Sequence, residues 1–310
     1  MAPSYERVRL VVGDSNPDFT LLKLVFLARG IRNIDTCVGS EQMTGAMDQN
    51  LVDLLLYDYD LPGGDFVEVM QGIRRKAYGR NPFVVVIAAV KDSDTETVRR
   101  LIDAGVDDLI RKPLSISRLV EGIDKFTLGR KPFAACRDYV GPTRRPTVRD
   151  HEDASGLIQV PNTLRSKIAE NISDAELQRM LDVALIDLED KRLESCGAEI
   201  NYLAKRVTED YGDPTKTAEV DVALQRLMVV ADDLYHRSDG TSSQQVANLA
   251  KMLRALTTRA TQRAPGHAAT EVQILSKLAL AIRRALTVER HSVSLMQEIV
   301  GAVSGFTDKH

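Results

Sequence analysis

A five-stranded, doubly wound parallel α/β sheet followed by an all-α helical bundle is the fold class that the sequence predicts. Three observations carry it. Residues 8–128 alternate short β-rich runs with amphipathic stretches, and one run, Phe83–Ala89 (FVVVIAA), is apolar throughout, as a parallel strand covered on both faces must be. Between Gly129 and Val160 that periodicity stops in a stretch punctuated by Lys131-Pro132, Gly141-Pro142 and Arg145-Pro146. Beyond it no strand pattern returns, and apolar residues recur at helical spacing.

The elements follow in order. Arg9–Gly13 (RLVVG) reads as a buried strand and Phe19–Arg29 as a helix; Ile34–Val38 is a second strand, followed by a helix around Glu41–Met47. Val52–Asp58 (VDLLLYD) is a third strand ending in a carboxylate, Asp65–Lys76 a helix, and Phe83–Ala89 the central fourth strand. Thr95–Ala104 is helical, Asp108–Arg111 a fifth strand, and Ser117–Phe126 a fifth helix. Strands alternating with single helices imply a parallel sheet whose ligands sit beyond the strands' carboxyl ends. In the second half, Ser173-Asp-Ala-Glu176 is a capping box that opens a long helix with apolar positions from Leu177 to Val207, ended by Gly212-Asp-Pro214. Val220–Tyr235, Val246–Leu256 and Val272 to about Val303 complete an antiparallel bundle. The expected organisation is therefore a sheet domain over 1–128, a linker over 129–160 and a helical output or interaction domain over 161–310.

Composition narrows the function classes. The chain has 310 residues, 44% hydrophobic and 27% charged, which excludes wholesale disorder. Lys plus Arg number 41 against 44 Asp plus Glu, so the net charge of −3 supplies no general attraction to phosphate and nucleic acid is not an expected partner. Trp is absent and aromatics make up 5%, too few for base-stacking platforms. The longest uncharged apolar run, Pro82–Val90, is far short of the ~20 residues that span a bilayer, and no signal peptide is evident, so a cytoplasmic protein without membrane contact is expected. Cys37, Cys136 and Cys196 are scattered, with no disulfide or zinc spacing.

In a sheet of order 2-1-3-4-5, Asp14 after strand one, Asp58 at the end of strand three and Lys112 after strand five converge on one crevice. Two carboxylates with backbone carbonyls suit a Mg²⁺ ion that keeps several waters, and a lysine opposite them suits a phosphoryl oxygen. Such a site transfers a phosphoryl group to a carboxylate by positioning and charge neutralisation.

The segments LVVGDSNPDF, VDLLLYDYDLPGGDF and GVDDLIRKPLS resemble those of the response-regulator receiver domains of two-component signalling, over roughly residues 5–128. The resemblance implies a flavodoxin-like receiver with Asp58 as phosphoacceptor, Asp14 and Asp58 as metal-binding carboxylates, the Asp60 backbone carbonyl as a further ligand to Mg²⁺, Lys112 as the phosphate contact and a cis Lys112–Pro113 bond. It also implies a sensor histidine kinase or histidine-phosphotransfer protein as phosphoryl donor, and a signalling protein rather than an enzyme. Three positions depart from the family: Gly13 replaces the first of two adjacent acids, Ala88 or Ala89 stands where a switch hydroxyl is usual, and Leu109 replaces the switch aromatic.

The helical half weakly resembles a degenerate histidine-phosphotransfer module. The phosphoacceptor position falls on Asp232; a shifted alternative uses His236 with Gly240 and Thr241, but Asp239 stands where that pattern has a lysine. His151, His267, His291 and His310 lack metal-ligand spacing, and Arg144-Arg145 with Arg149 reads as a solvated linker. The reading is a response regulator phosphorylated on Asp58 that signals through its helical domain to a protein partner or a homodimer. The alternatives are a phosphorylation-independent scaffold or a receiver/phosphotransfer relay.

Overall fold

The computed structural model describes residues 4–16, 19–91, 94–144, 157–170, 172–241, 243–262 and 271–287. The chain forms two compact units, Met1–Leu188 and Glu189–His310.

In the first unit, β1 (Arg9–Gly13), β2 (Asn33–Cys37), β3 (Leu54–Asp58), β4 (Val85–Val90) and β5 (Asp108–Arg111) form one sheet of order β2-β1-β3-β4-β5, parallel throughout, as expected. β3 and β4 are buried at every position, which accounts for the apolar sequence of β4 and of β3 up to Asp58. Helices α1 (Thr20–Ala28), α2 (Ser40–Gln49), α3 (Phe66–Arg74) and α4 (Thr95–Asp103) connect the strands, and α5 (Ile116–Leu128) follows β5. Side-chain caps start two of them: Asp65 accepts from the amides of Val67 and Glu68, and Asp94 from those of Glu96 and Thr97. Side chains alternate across the sheet. Leu10, Val12, Leu54, Leu56, Val85 and Ile87 pack with Phe26 and Ile123 on one face; Val11, Leu55, Tyr57, Val86 and Ala88 pack with Met43, Met70 and Leu101 on the other. Alternation of helices across two faces is what the doubly wound pattern demands.

Residues 129–160, read from sequence as a linker, contain paired strands. β6 (Phe133–Ala135) pairs antiparallel with both β7 (Val140–Pro142) and β8 (Leu157–Ile158). Phe133, Val140 and Ile158 share a core with Leu51, Phe83, Leu177, Leu181, Ala184 and Leu188. The division between units thus falls inside a helix and not in the proline-rich stretch, because apolar packing of the first unit continues to Leu188. That helix is α6 (Asp174–Asp210), capped by the Ser173 hydroxyl accepting from the Glu176 amide at 3.2 Å. Glu176 does not complete the expected box in that bond; its carboxylate pairs with Arg179.

The second unit comprises the end of α6, α7 (Thr217–Ser238), α8 (Gln244–Thr261) and helical residues 271–287, α9. Cys196, Ile200, Val207, Leu224, Leu227, Leu253, Leu275 and Ile282 lie in its core. The expected continuation of α9 towards Val303 lies outside the described residues. Among the described residues no helix is long and apolar enough to cross a membrane.

Candidate functional site

The carboxyl ends of β1, β3 and β5 bring three predicted side chains together. Lys112 Nζ lies 2.9 Å from Asp14 Oδ1 and 2.8 Å from Asp58 Oδ2. The Asp58 side chain is fully shielded, while those of Asp14 and Lys112 are 10% and 15% exposed, so the cluster opens on the Asp14–Lys112 side. Asp58 Oδ2 also accepts from the Ser15 amide at 3.0 Å and from the Ser15 hydroxyl at 2.6 Å; Oδ1 accepts from the Asp60 amide at 3.2 Å. Asp14 Oδ1 takes the Asn16 amide at 2.9 Å in addition to the lysine.

Burial opposes ionisation of Asp58, but the Lys112 ammonium and the Ser15 donors outweigh it and hold the carboxyl below its ordinary range. Burial likewise works against the charge on Lys112, and Asp14 and Asp58 more than offset it, raising its pKa. The site is thus two carboxylates sharing one firmly protonated lysine. Those hard oxygen donors fit a Mg²⁺ ion that retains most of its water; among the described residues no cluster of three or more Asp, Glu, His or Cys side chains provides a fuller cage. The Asp60 side chain turns to Lys91 at 3.3 Å.

The Lys112–Pro113 bond is cis, as the sequence reading expects. The chain from residue 10 to residue 124 matches the response regulator receiver domain family. Residues 10–124 are a response regulator receiver domain. Over 125 residues the chain is 29% identical to the phosphate regulon transcriptional regulatory protein PhoB of Escherichia coli strain K12, covering 40% of this chain and 53% of that protein. Over 68 residues it is 40% identical to a cyclic di-GMP phosphodiesterase of Thermotoga maritima, covering 22% of this chain and 17% of the relative. The chain therefore spans about half or less of these relatives. Among solved structures, a CheY-like receiver domain protein from Methanospirillum hungatei JF-1 superposes with a TM-score of 0.34 at 18% identity, covering 38% of this chain and 91% of that one.

Each departure from the receiver pattern has a local setting. A Cβ on Gly13 would stand 2.9 Å from Leu61 Cδ2 and 3.1 Å from Met43 Sδ, so apolar side chains fill the place of the usual acid. Ala89 lies in register with Asp58, and Ala88 with Leu109; neither alanine has a hydroxyl to offer. Leu109 packs partly buried against the core formed by α2, α3 and α4. Ser15 is the site residue that sequence reasoning missed. Its signal was present, a hydroxyl residue directly after the carboxylate at the end of β1, but the contact joins positions 43 apart in the chain.

Elsewhere, His236 is 68% exposed on α7, 3.7 Å from Asp232, which also pairs with Arg254. Arg144, expected to be a solvated linker residue, is exposed and donates to the Val106 carbonyl. His151, His267, His291, His310, Arg145 and Arg149 lie outside the described residues.

Proposed function

We propose that the protein is a two-component response regulator in which Asp58 accepts a phosphoryl group. The observation that carries this reading is one lysine, Lys112, within 2.9 Å of two carboxylates at adjacent strand ends. Scaffolding alone gives no physical reason to hold such charges together in a shielded crevice. Among the described residues Oδ2 of Asp58 has three donors and Oδ1 has one, so Oδ1 keeps the lone pair for attack. The new P–O bond forms at Oδ1 as the P–N bond of a phosphohistidine donor breaks. Lys112 then pairs with a phosphoryl oxygen while remaining beside Asp14. When bound, Mg²⁺ supplies charge neutralisation for the transferring group, held by the carboxylates of Asp14 and Asp58 and the backbone carbonyl of Asp60.

The donor in this reading is a sensor histidine kinase or a histidine-phosphotransfer protein. In this reading residues 1–128 are the receiver and 129–160 the connector, and within the helical stretch 161–310 the part from Glu189 onward, a compact unit of its own, acts on a protein partner or a second copy in the cytoplasm. The protein is a switch and turns over no external substrate. Gly13, Ala88 and Leu109 favour a second reading, a phosphorylation-independent scaffold, because the usual hydroxyl-and-aromatic coupling is missing.

Intact mass of the full chain with Mg²⁺ and acetyl phosphate separates the two. A labile adduct of about 80 Da, the mass of one phosphoryl group on the carboxylate, present in the wild type and absent in Asp58→Ala, is the expected result. An adduct that persists in Asp58→Ala, or none even with a phosphohistidine donor, refutes the phosphoacceptor reading and leaves the scaffold.

A further inference from the structure

We propose that Ser15 is a positioning residue for phosphoryl transfer, clamping one oxygen of Asp58 so that the other faces the donor. The inference rests on the reading of Asp58 as phosphoacceptor. A carboxylate turns about its Cβ–Cγ bond through a broad, roughly two-fold well, so its two oxygens exchange unless donors distinguish them. Here they are distinguished. Ser15 binds Oδ2 at two points, amide at 3.0 Å and hydroxyl at 2.6 Å, and Lys112 adds a third at 2.8 Å. Among the described residues Oδ1 has only the Asp60 amide, at 3.2 Å.

The hydroxyl contact is the short one, and it is directed to a charged acceptor, the stronger class of hydrogen bond. The Ser15 amide and hydroxyl hold Oδ2 at two points, so loss of the hydroxyl leaves one Ser15 donor on that oxygen. During transfer Lys112 must turn towards the phosphoryl group, which takes one donor from Oδ2 at the moment when orientation matters most. Ser15 then holds Oδ2 without the lysine. Among the described residues Ser15 supplies the only side-chain hydroxyl bonded to Asp58, because β4 offers Ala88 and Ala89 beside the site. Ser15 itself is exposed, so its hydroxyl is not required to satisfy a buried core.

The test compares full-length wild type, Ser15→Ala, Ser15→Thr and Asp58→Ala for the rate of phosphorylation by acetyl phosphate across a Mg²⁺ series. Loss of one hydrogen bond to a charged group predicts a limiting rate slower on the order of 10-fold in Ser15→Ala, with the Mg²⁺ concentration for half-maximal rate unchanged. Ser15→Thr restores the hydroxyl and is expected to recover most of the rate, which a purely structural role would not require. A wild-type rate in Ser15→Ala, a Ser15→Thr as slow as Ser15→Ala, or a raised Mg²⁺ requirement at an unchanged limiting rate overturns the Ser15 role alone. Absence of labelling in the wild type with acetyl phosphate and with a phosphohistidine donor alike overturns the phosphoacceptor reading beneath it.

Discussion

Asp107→Asn tests how the receiver is joined to the segment that follows it. Asp107 is shielded to 1% exposure and accepts from two guanidinium groups: Arg74 Nη2 at 2.9 Å, and Arg130 through Nε and Nη2, each at 2.7 Å. The Val86 amide adds a fourth bond at 2.9 Å. Both guanidiniums also donate to backbone carbonyls, of Gly105, Pro82 and Val84 for Arg74 and of Phe83 and Val84 for Arg130. Both lie over the Phe133 ring, at 5.2 and 4.5 Å from its centroid. One carboxylate therefore compensates two buried cations. Burial lowers the Arg74 pKa to about 10 even though Asp107 raises it.

Asparagine keeps the shape and the acceptor for Val86 but removes the one carboxylate that, among the described residues, pairs with both arginines. Breaking a buried ion pair from one side costs about 3–5 kcal/mol. With a shift of about 2–4 °C per kcal/mol for a unit of this size, the melting temperature of the receiver transition should fall by roughly 6–20 °C. Differential scanning calorimetry of the full chain measures it. The neighbouring Asp108→Asn is the control, since Asp108 forms a half-exposed pair with Lys125 at 3.2 Å and its loss should cost no more than about 1 kcal/mol. An Asp107→Asn transition within about 2 °C of wild type, less than 1 kcal/mol on the same scale, refutes the dependence of the two arginines on this carboxylate.

Restoring the missing acid should work only when room is made for it. Gly13→Asp alone forces Leu61 and Met43 aside, at about 1–3 kcal/mol of stability, whereas Gly13→Asp with Leu61→Ala should bind Mg²⁺ more tightly than wild type in a metal titration; equal affinity counts against the carboxylate logic of the site. Lys167 Nζ pairs with Asp53 Oδ2 at 2.9 Å, both side chains being 1% exposed or less, so Lys167→Met should destabilise the first unit by about 3–5 kcal/mol at neutral pH. Burial raises the Asp53 pKa and Lys167 works against that rise; without the lysine the folded state takes up a proton more readily, so the deficit should shrink on acidification and an unchanged deficit at pH 5, about two units below neutrality, speaks against it. Asp58 has the opposite sign: its folded pKa is lowered, so its contribution is present above the unfolded value and is lost as pH falls through the folded one. The stability difference between wild type and Asp58→Asn, followed by thermal melts, should decline only in that acidic window; a change in the opposite direction contradicts the Lys112 and Ser15 contacts.

The sheet was legible because its information is local: apolar runs mark strands, and charged residues just past them mark the crevice. Asp14, Asp58 and Lys112 needed only the strand order to be brought together. The strands between residues 133 and 158 were not legible, since each has two or three residues and β7 itself contains Gly141-Pro142, which reads as a turn. Their identity comes from Phe133 packing against Phe83 across some fifty residues, at 5.8 Å between ring centroids, and from Arg130 reaching Asp107. No periodicity reports such contacts. The same limit hid Ser15, and it bears on how the departures from the receiver pattern are weighed. Read along the chain, Gly13, Ala88 and Leu109 are three losses. In three dimensions the place of the first acid is occupied by Leu61 and Met43, Leu109 packs partly buried against the core, and a hydroxyl reaches Asp58 from the loop after β1 while β4 has none to give. A crevice without function would have no reason to hold a 2.6 Å hydroxyl contact and a shared lysine on the shielded carboxylate of Asp58. The substitutions are better understood as a repacked site in which the donors to Asp58 have been redistributed, and the Ser15 and Gly13 variants separate repacking from decay.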